Sequence, residues 1–343
     1  MASLTDRLEP LAVSHYLAGI HQLNTLITRH GWSRLDDILL CSILCILFEW
    51  RQSRYSWALV HLRSSLYILQ QWLDLSKTSS ASRRITIKKT SPEGRFVCLT
   101  LIPVLAKMLF QTGSLLDACT LAIALPKVSI AGELVPVQDF NTLTEARDAL
   151  FTIIAQEYLG DHGPPATPSP SSLFYIRQSQ WAGRLDALIQ RPNVNLGENR
   201  AAVLTLQTWR VTVKVMGMRR MANNDAVYNQ FDDEFHEIFT LCSKLIELQG
   251  CTFTADLSVV LILYFVAFHA PDLALRRKTI ELLVASRRCE GIWDSGLAAT
   301  MASRALEVDG IGLHTDSEVT QFFWNLQMGE TWREEQSVSI SRV

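Results

Sequence analysis

The feature that most constrains this chain is the recurrence of apolar residues at three- and four-residue steps along most of its length. The clearest example is a run of leucines at positions 59, 62, 66, 69 and 73, which places all five on one face of a long amphipathic helix. Alternation of the strand type is nearly absent. The sequence therefore predicts an all-α fold, built either as an irregular multi-helix bundle or as a short α-solenoid of helical hairpins.

Helix start and stop signals place the elements of the first half. They predict helices over residues 10–30, 36–52, 59–73, 91–111 and 142–158. The 36–52 segment is apolar on nearly every side, which favours a central position in a bundle. Thr142 and Glu145 have the spacing of a capping box, in which both side chains accept from free N–H groups at a helix start.

The segment GDHGPPATPSPSS at 160–172 is the clearest interruption, because its four prolines oppose regular helix. We interpret 161–172 as a loop between an N-terminal helical half, 1–160, and a C-terminal helical half, 173–310, with a tail at 311–343. The two halves are expected to form one continuous domain. In the second half the signals predict helices over 173–190, 198–221, 225–248, 255–269, 271–287 and 293–308.

Composition excludes several classes of protein. The net charge of -2 gives no positive field to hold nucleic acid, so direct DNA binding is not expected. No stretch reaches the roughly 18 apolar residues that suggest a membrane span, and the N-terminus lacks the apolar core of a signal peptide. The seven cysteines, an odd number, indicate reduced thiols in a nuclear or cytoplasmic protein.

Three segments carry a further pattern. They are HYLAGIHQL at 15–23, LLCSILCILFEWRQSRYSWALVHLRSSLYIL at 39–69, and LRRKTIELLVASRRCEGIWDSGLAATMASRALEVD at 275–309. The second joins an apolar helix to a helix whose face bears Ala58, His61, Leu62 and Arg63. The third places the turn RRCEGIWDS, residues 287–295, between two helices.

Together these segments resemble the fungal-specific transcription factor domain, the regulatory region of zinc-cluster transcription factors. The resemblance implies an all-helical effector module that influences transcription, regulating a metabolic or secondary-metabolite gene set. It would bind a protein partner, a second copy of itself or a hydrophobic small-molecule effector. The six-cysteine zinc cluster through which that family reads DNA is absent from this sequence, so nothing here supplies DNA recognition in cis.

The turn at 287–295 also has a physical rationale of its own. Gly291 relaxes the backbone where a helix ends, and Trp293 anchors the following helix by burying a large ring. Asp294 or Ser295 is placed to cap that helix. The arginine pair at 287 and 288 suits the C-terminal end of the preceding helix, where positive charge complements the helix dipole.

Candidates for catalysis are few. Asp232, Asp233 and His236 lie in DDEFH on a predicted helix, a pattern similar to the metal-binding DD-x-x-D/E motif of class I terpene cyclases, but the second metal motif of those enzymes is not found downstream. We interpret the two acids as a favourable first helical turn. His61 is interpreted as a core or interface histidine in preference to a general base. No metal or cofactor is expected.

The alternative function is an enzyme on the same helical scaffold, a cyclase or isomerase acting on a hydrophobic small molecule. Its weak candidates for catalytic groups are Asp232, Asp233, His236 and His61. A deep enclosed pocket with converging titratable groups would favour the enzyme, whereas a filled core or an exposed apolar face would favour the interaction module.

The cysteines, the tryptophans and one basic segment lead to three further predictions. Cys41 and Cys45 are interpreted as buried thiols and not as metal ligands, because their neighbours are apolar. Most of the nine tryptophans are assigned to the core, with a few left to line an apolar pocket. The basic segment at 77–90 is interpreted as a solvated loop, with a weak nuclear import signal as the alternative.

Overall fold

The computed structural model describes residues 4–52, 54–74, 91–113, 139–159, 170–191, 197–222, 225–250, 253–254, 256 and 259–309. These residues confirm the all-α class, since 86% of them are helical and strands form only one small sheet. They divide into two compact units, one up to Leu109 and one from Phe110 onward. None of the described helices is both long enough and apolar enough to cross a bilayer.

The first unit consists of helices and helical turns. Its α-helices are α1 (Leu4–His30), α2 (Leu35–Arg51), α3 (Tyr55–Asp74), α4 (Pro92–Phe96) and α5 (Ile102–Gly113), of which α5 continues past Leu109. A 3-10 turn, Gly31–Arg34, links α1 to α2, and a π-helical turn, Val97–Leu101, links α4 to α5. Ser91 caps α4 by accepting from the Gly94 N–H at 3.1 Å, so the predicted start at Ser91-Pro92 is confirmed.

The second unit adds seven helices among the described residues. They are α6 (Leu143–Leu159), α7 (Pro170–Ile189), α8 (Arg200–Ala222), α9 (Asp232–Gln249), α10 (Val260–His269), α11 (Leu273–Ser286) and α12 (Ser295–Asp309), with a 3-10 turn at Asp225–Gln230. Three two-residue strands, β1 (Phe253–Thr254), β2 (Cys289–Glu290) and β3 (Trp293–Asp294), form a sheet in that order. β1 runs parallel to β2, and β2 antiparallel to β3.

The capping box predicted for α6 is present. The Glu145 N–H donates to Thr142 Oγ1 at 3.1 Å, and the Glu145 carboxylate accepts from the Asn141 N–H at 2.8 Å. The reciprocal bond therefore reaches one residue further back than the usual box, but it still satisfies a free donor at the helix start.

Several predicted boundaries are wrong. The helix predicted over 10–30 begins earlier, at Leu4. The helix predicted over 225–248 is interrupted at Phe231, because a 3-10 turn precedes α9. The helix predicted from residue 255 begins at Val260. Pro271 is not in a first helical turn, because Asp272 caps α11 by accepting from the Ala274 N–H at 2.8 Å. The helix predicted over 293–308 begins only at Ser295, since Trp293 lies in β3.

The predicted loop at 161–172 is described only at its end. There, residues 170–172 already belong to α7, which begins at Pro170; a proline at the first helical position costs no hydrogen bond. The boundary between the two units lies within α5 and not in this segment. The basic segment at 77–90, residues 161–169 and the tail at 311–343 lie outside the described residues.

The centre of the second unit is α10, whose sequence VLILYFVAFH is apolar all round. Six of its ten residues are buried, and it packs against α9, α11 and α12, as a helix without a polar face must. Elsewhere in this unit, Phe110, Phe151 and Trp209 form an aromatic cluster, with ring centroids 5.5 to 6.4 Å apart. Trp181 Nε1–H donates to the Ala146 carbonyl at 2.7 Å, so this buried indole is satisfied.

Candidate functional site

The turn at 287–295 is an ordered segment that contains a short β-hairpin. α11 ends at Ser286, and Arg287 adopts the left-handed conformation with φ 49°. β2 and β3 then form a tight hairpin around Gly291, whose φ is +60°. Asp294 caps α12 by accepting from the Leu297 N–H at 2.9 Å, which confirms one of the two predicted caps.

Glu290 and Arg288 form a fully buried ion pair inside this turn. Arg288 Nε–H donates to Glu290 Oε1 at 3.1 Å, and both side chains are almost completely excluded from solvent. The Arg288 guanidinium also donates to the Gly250 carbonyl and to Gln249 Oε1, each at 2.8 Å. Burying two charges is costly unless the pair is saturated with hydrogen bonds, and this one meets that requirement.

The Glu290 carboxylate also caps α10. Its Oε2 accepts from the Val259 N–H at 2.9 Å and from the Val260 N–H at 3.0 Å. A carboxylate at this position satisfies free donors and complements the positive end of the helix dipole. Glu290 thus joins the start of the central helix to the turn some thirty residues later in the chain.

These contacts correct one sequence-based interpretation. Arg288 does not complement the dipole of α11 from the surface, because its side chain is buried and bonded to Glu290. Glu290 caps α10, a role that the sequence did not predict. Trp293, by contrast, is buried as expected and lies 5.0 Å from the Tyr264 ring. The motif that carries the family resemblance therefore performs a structural task in this chain.

An open cleft of about 660 Å³ lies beside Arg288. Its walls come from the first turns of α6 and α8, from the end of α9 and from β1. The Arg147–Asp256 ion pair, with 2.8 Å between Nη1 and Oδ2, lies along it. Four charged side chains line this cleft, two of each sign, and three of them, Arg147, Asp256 and Arg288, have described ion-pair partners. The positive and negative charges along the cleft therefore balance.

In the first unit, His61 belongs to a hydrogen-bonded chain of three side chains from three helices. Tyr16 on α1 donates its hydroxyl proton to Glu49 Oε1 on α2, and the hydroxyl oxygen lies 3.1 Å from His61 Nε2 on α3. The Tyr16 ring stacks on Phe48 with 4.5 Å between centroids. Glu49 is buried, and its Oε2 has no hydrogen-bond partner among the described residues.

Burial shifts the pKa values of three groups in and beside this cluster. It raises the pKa of Tyr16 above its usual range, and the adjacent Glu49 carboxylate adds to the effect. Burial also lowers the pKa of His61, while Glu49 opposes the shift. The pKa of Cys45 is raised to about 11, first by burial and then by Cys41 and Glu49. The raised pKa of Tyr16 and the lowered pKa of His61 both favour the neutral forms, with His61 Nε2–H donating to the Tyr16 hydroxyl oxygen. The arrangement fastens α1 to the α2–α3 pair.

Tyr16→Phe is expected to destabilise this unit. Tyr16 is the only side chain in the described part of the chain that donates to the Glu49 carboxylate, and leaving a buried acceptor unsatisfied costs about 1–3 kcal/mol. Denaturant unfolding measures the loss, and amide hydrogen exchange locates it in α1. Tyr67→Phe is the matched control, because Tyr67 is exposed; equal effects of the two substitutions would contradict this assignment.

The stability of the unit is also expected to depend on pH through His61. Its pKa is lower in the folded state, so the unfolded chain binds the proton more tightly. The stabilisation is therefore complete above the unfolded value of about 6.5 and is lost as the pH falls through the folded value. We expect the free energy of unfolding of the parent chain to fall between pH 7.5 and 5, in part through His61. This part of the pH dependence should be absent from His61→Gln and present in His15→Gln, because His15 is exposed on α1.

The structure places the other three catalytic candidates on the surface of α9. Asp232 and His236 are each about half exposed, and His236 lies 3.7 Å from carboxylate oxygens of Asp232 and Asp272. Asp233 lines a separate open groove of about 560 Å³ between α7, α8 and α9. The acids stand in the first turn of α9, as predicted. The described residues contain no group of three or more His, Cys, Asp or Glu side chains that could hold a metal ion.

One surface of the first unit carries a stripe of large apolar side chains on α3. Trp57, Val60 and Tyr67 are 57%, 43% and 56% exposed. We refer to these three residues as the α3 stripe. The prediction that most tryptophans lie in the core holds for Trp50 and Trp72 of the same hairpin, whereas Trp57 faces solvent.

The neighbouring helix α2 is open to solvent as well. Leu40 and Leu44, one turn apart, are exposed, which corrects the expectation that this all-apolar helix occupies the centre of a bundle. Leu39, Ile43 and Ile46 are buried, so α2 covers only part of its apolar surface within this chain. Contiguous exposed apolar side chains on a folded unit are typical of interaction surfaces.

Comparison with known proteins gives no relative. No family model, no curated protein and no solved structure matches this chain.

Sequence reasoning missed three of these features for different reasons. Trp57 could have been identified, because it lies opposite the leucine face of α3 in the helical repeat. Glu49 carried a signal too, as the one acid late in an otherwise apolar helix. The Arg288–Glu290 pair carried none, because the partners that saturate it lie far away in the sequence.

Proposed function

We propose that this chain is a regulatory interaction module that influences transcription through a protein partner bound at the α3 stripe. The exposure of Trp57, Val60 and Tyr67 is the observation that carries the proposal. The sequence resemblance to transcription factor regulatory domains supplies the biological setting.

The composition of the stripe fits an interaction hot spot. Tryptophan, tyrosine and arginine dominate the energetics of protein interfaces, and the stripe presents the first two, with the exposed Arg63 beside them on the same helix. Leaving large apolar side chains in water forgoes roughly 1.5–3 kcal/mol for each one that a partner could bury. A helix whose own core is complete gains nothing from such residues unless something else covers them.

The geometry of the catalytic candidates favours this function over an enzyme. His61 is engaged with Tyr16 within the first unit, and Asp232 and His236 are half exposed on a helix surface. The two clefts described above are open and lined by ion pairs. A cyclase or isomerase needs its substrate enclosed away from water, with an acid or base directed at it.

The test is a tethering experiment. The full chain is fused to an unrelated DNA-binding domain whose operator lies upstream of a reporter gene, and reporter output is compared with that of the DNA-binding domain alone. We expect the fused chain to change the output. In a Trp57→Ala, Tyr67→Ala double variant the change should disappear, because losing hot-spot aromatic residues costs about 2 kcal/mol or more of binding.

A matched double variant controls for the loss of exposed apolar surface in general. Leu273→Ala with Val284→Ala removes two exposed apolar side chains from α11, and it should leave the reporter response intact. Circular dichroism of the purified proteins checks that both double variants remain folded. A fused chain with no effect on the reporter, or an equal loss in both double variants, would overturn the proposal.

A further inference from the structure

The geometry of α3 separates the stripe cleanly from the core of the unit. At about 100° of rotation per residue, Trp57 and Tyr67 lie about 140° from the buried Leu62, on opposite sides of it. Val60 lies between them on the outer surface, and the exposed Ser64 completes that surface. The stripe extends for about 15 Å along the helix axis, which is the length of roughly three helical turns.

The charged residues beside the stripe on α3 have one sign. Arg63 is exposed and lies beside the apolar side chains in the helical repeat, and the exposed Arg54 immediately precedes Tyr55, the first residue of α3. Neither arginine side chain makes an ion pair with any described residue. From Tyr55 to Leu73 the helix has no acidic residue. An apolar strip bordered by positive charge is complementary to an apolar strip bordered by carboxylates.

On the basis of the proposed function, we propose that the partner presents an acidic amphipathic helix, whose apolar residues pack on Trp57, Val60 and Tyr67 while its flanking carboxylates pair with Arg54 and Arg63. With the small Ser64 included, the residues of this surface are spaced at three, four and three positions, which matches the i, i+3, i+7 anchors by which an amphipathic helix docks. Ser64 leaves room for a large partner side chain between Val60 and Tyr67.

A nucleic acid also carries negative charge, but the surface fits it poorly. Binding to a phosphate backbone depends on several neutralising contacts along the strand, and the stripe offers two arginines. Its centre is apolar and one helix wide, which suits leucine-sized side chains. The net charge of the whole chain is -2, so no wider positive field supports nucleic-acid binding.

The test uses two dye-labelled synthetic peptides and fluorescence anisotropy with the full chain. Both peptides carry leucines at i, i+3, i+7 and i+10 in a helix-forming sequence; one has glutamate and the other lysine at the flanking positions. We expect the glutamate peptide to bind at least about tenfold more tightly, with a difference that shrinks as salt is added. A single-stranded oligonucleotide with the same dye is the third probe.

Charge reversal sharpens the test. Arg63→Glu should weaken binding of the glutamate peptide and strengthen binding of the lysine peptide, whereas Arg277→Glu, at an exposed position on α11, should change neither. The Trp57→Ala, Tyr67→Ala double variant should lose both peptides. Equal affinity for the two peptides, an unchanged preference in Arg63→Glu, or tighter stripe-dependent binding of the oligonucleotide would overturn the inference.

The two proposals fail in different ways. If the reporter response depends on the stripe but the glutamate peptide is not preferred, the partner has another chemistry and only this inference falls. If the reporter does not respond to the stripe at all, the proposed function falls, whatever the peptides do.

Discussion

We expect Glu290→Ala to lower the free energy of unfolding by about 3–5 kcal/mol, the range seen when one partner of a buried ion pair is removed. The substitution leaves the Arg288 guanidinium without its counter-ion in a site that is almost completely buried. It also leaves the Val259 and Val260 N–H groups at the start of α10 without an acceptor. Denaturant unfolding followed by circular dichroism measures the change.

Glu307→Ala is the matched control for this experiment. Glu307 accepts from Arg304 at 2.8 Å, but both side chains are more than half exposed. Exposed pairs of this kind contribute about 0–1 kcal/mol, so the loss should be small. A further variant, Glu290→Gln, keeps an oxygen that can accept from α10 while removing the charge, so it should fall between the two. If Glu290→Ala costs no more than Glu307→Ala, the pair does not hold the turn together.

Helix positions followed from the sequence because their signals are local. The Ser91 cap, the Thr142 capping box and the Asp294 cap each depend on residues within four positions of one another. Such contacts form wherever the local sequence permits, so spacing alone identifies them. The start of α10 was missed for the opposite reason, since its cap, Glu290, comes from about thirty residues away.

The candidate site was predicted only in part. His61 was expected to be a core or interface histidine, and it does lie between helices. Its partners Tyr16 and Glu49 could not be named, because no spacing rule connects residues on three different helices. The α3 stripe was hidden by a general expectation that tryptophan is buried, although Trp57 occupies the solvent side of the helical repeat.

We expect Gly291→Ala to destabilise the second unit by about 2–4 kcal/mol, through backbone strain and a steric clash together. Gly291 has φ +60°, a conformation that costs a residue with a Cβ about 1–2 kcal/mol. The added Cβ would also lie 1.8 Å from Gln111 Oε1. Gln111 is fully buried and accepts from the Ile292 N–H at 3.4 Å, so it must move. Denaturant unfolding of the purified variant measures the sum.

Two further variants separate these causes. The Gln111→Ala variant has no side chain for the new Cβ to meet. When Gly291→Ala is introduced into it, the free energy of unfolding should therefore fall only by the part due to backbone strain. Gly183→Ala is the control of opposite sign, because Gly183 lies within α7 and its Cβ would meet nothing within 4 Å; alanine there should stabilise by about 0.5–1 kcal/mol. A Gly291→Ala cost that does not fall in the Gln111→Ala background would mean that packing against Gln111 is not what requires glycine in this turn.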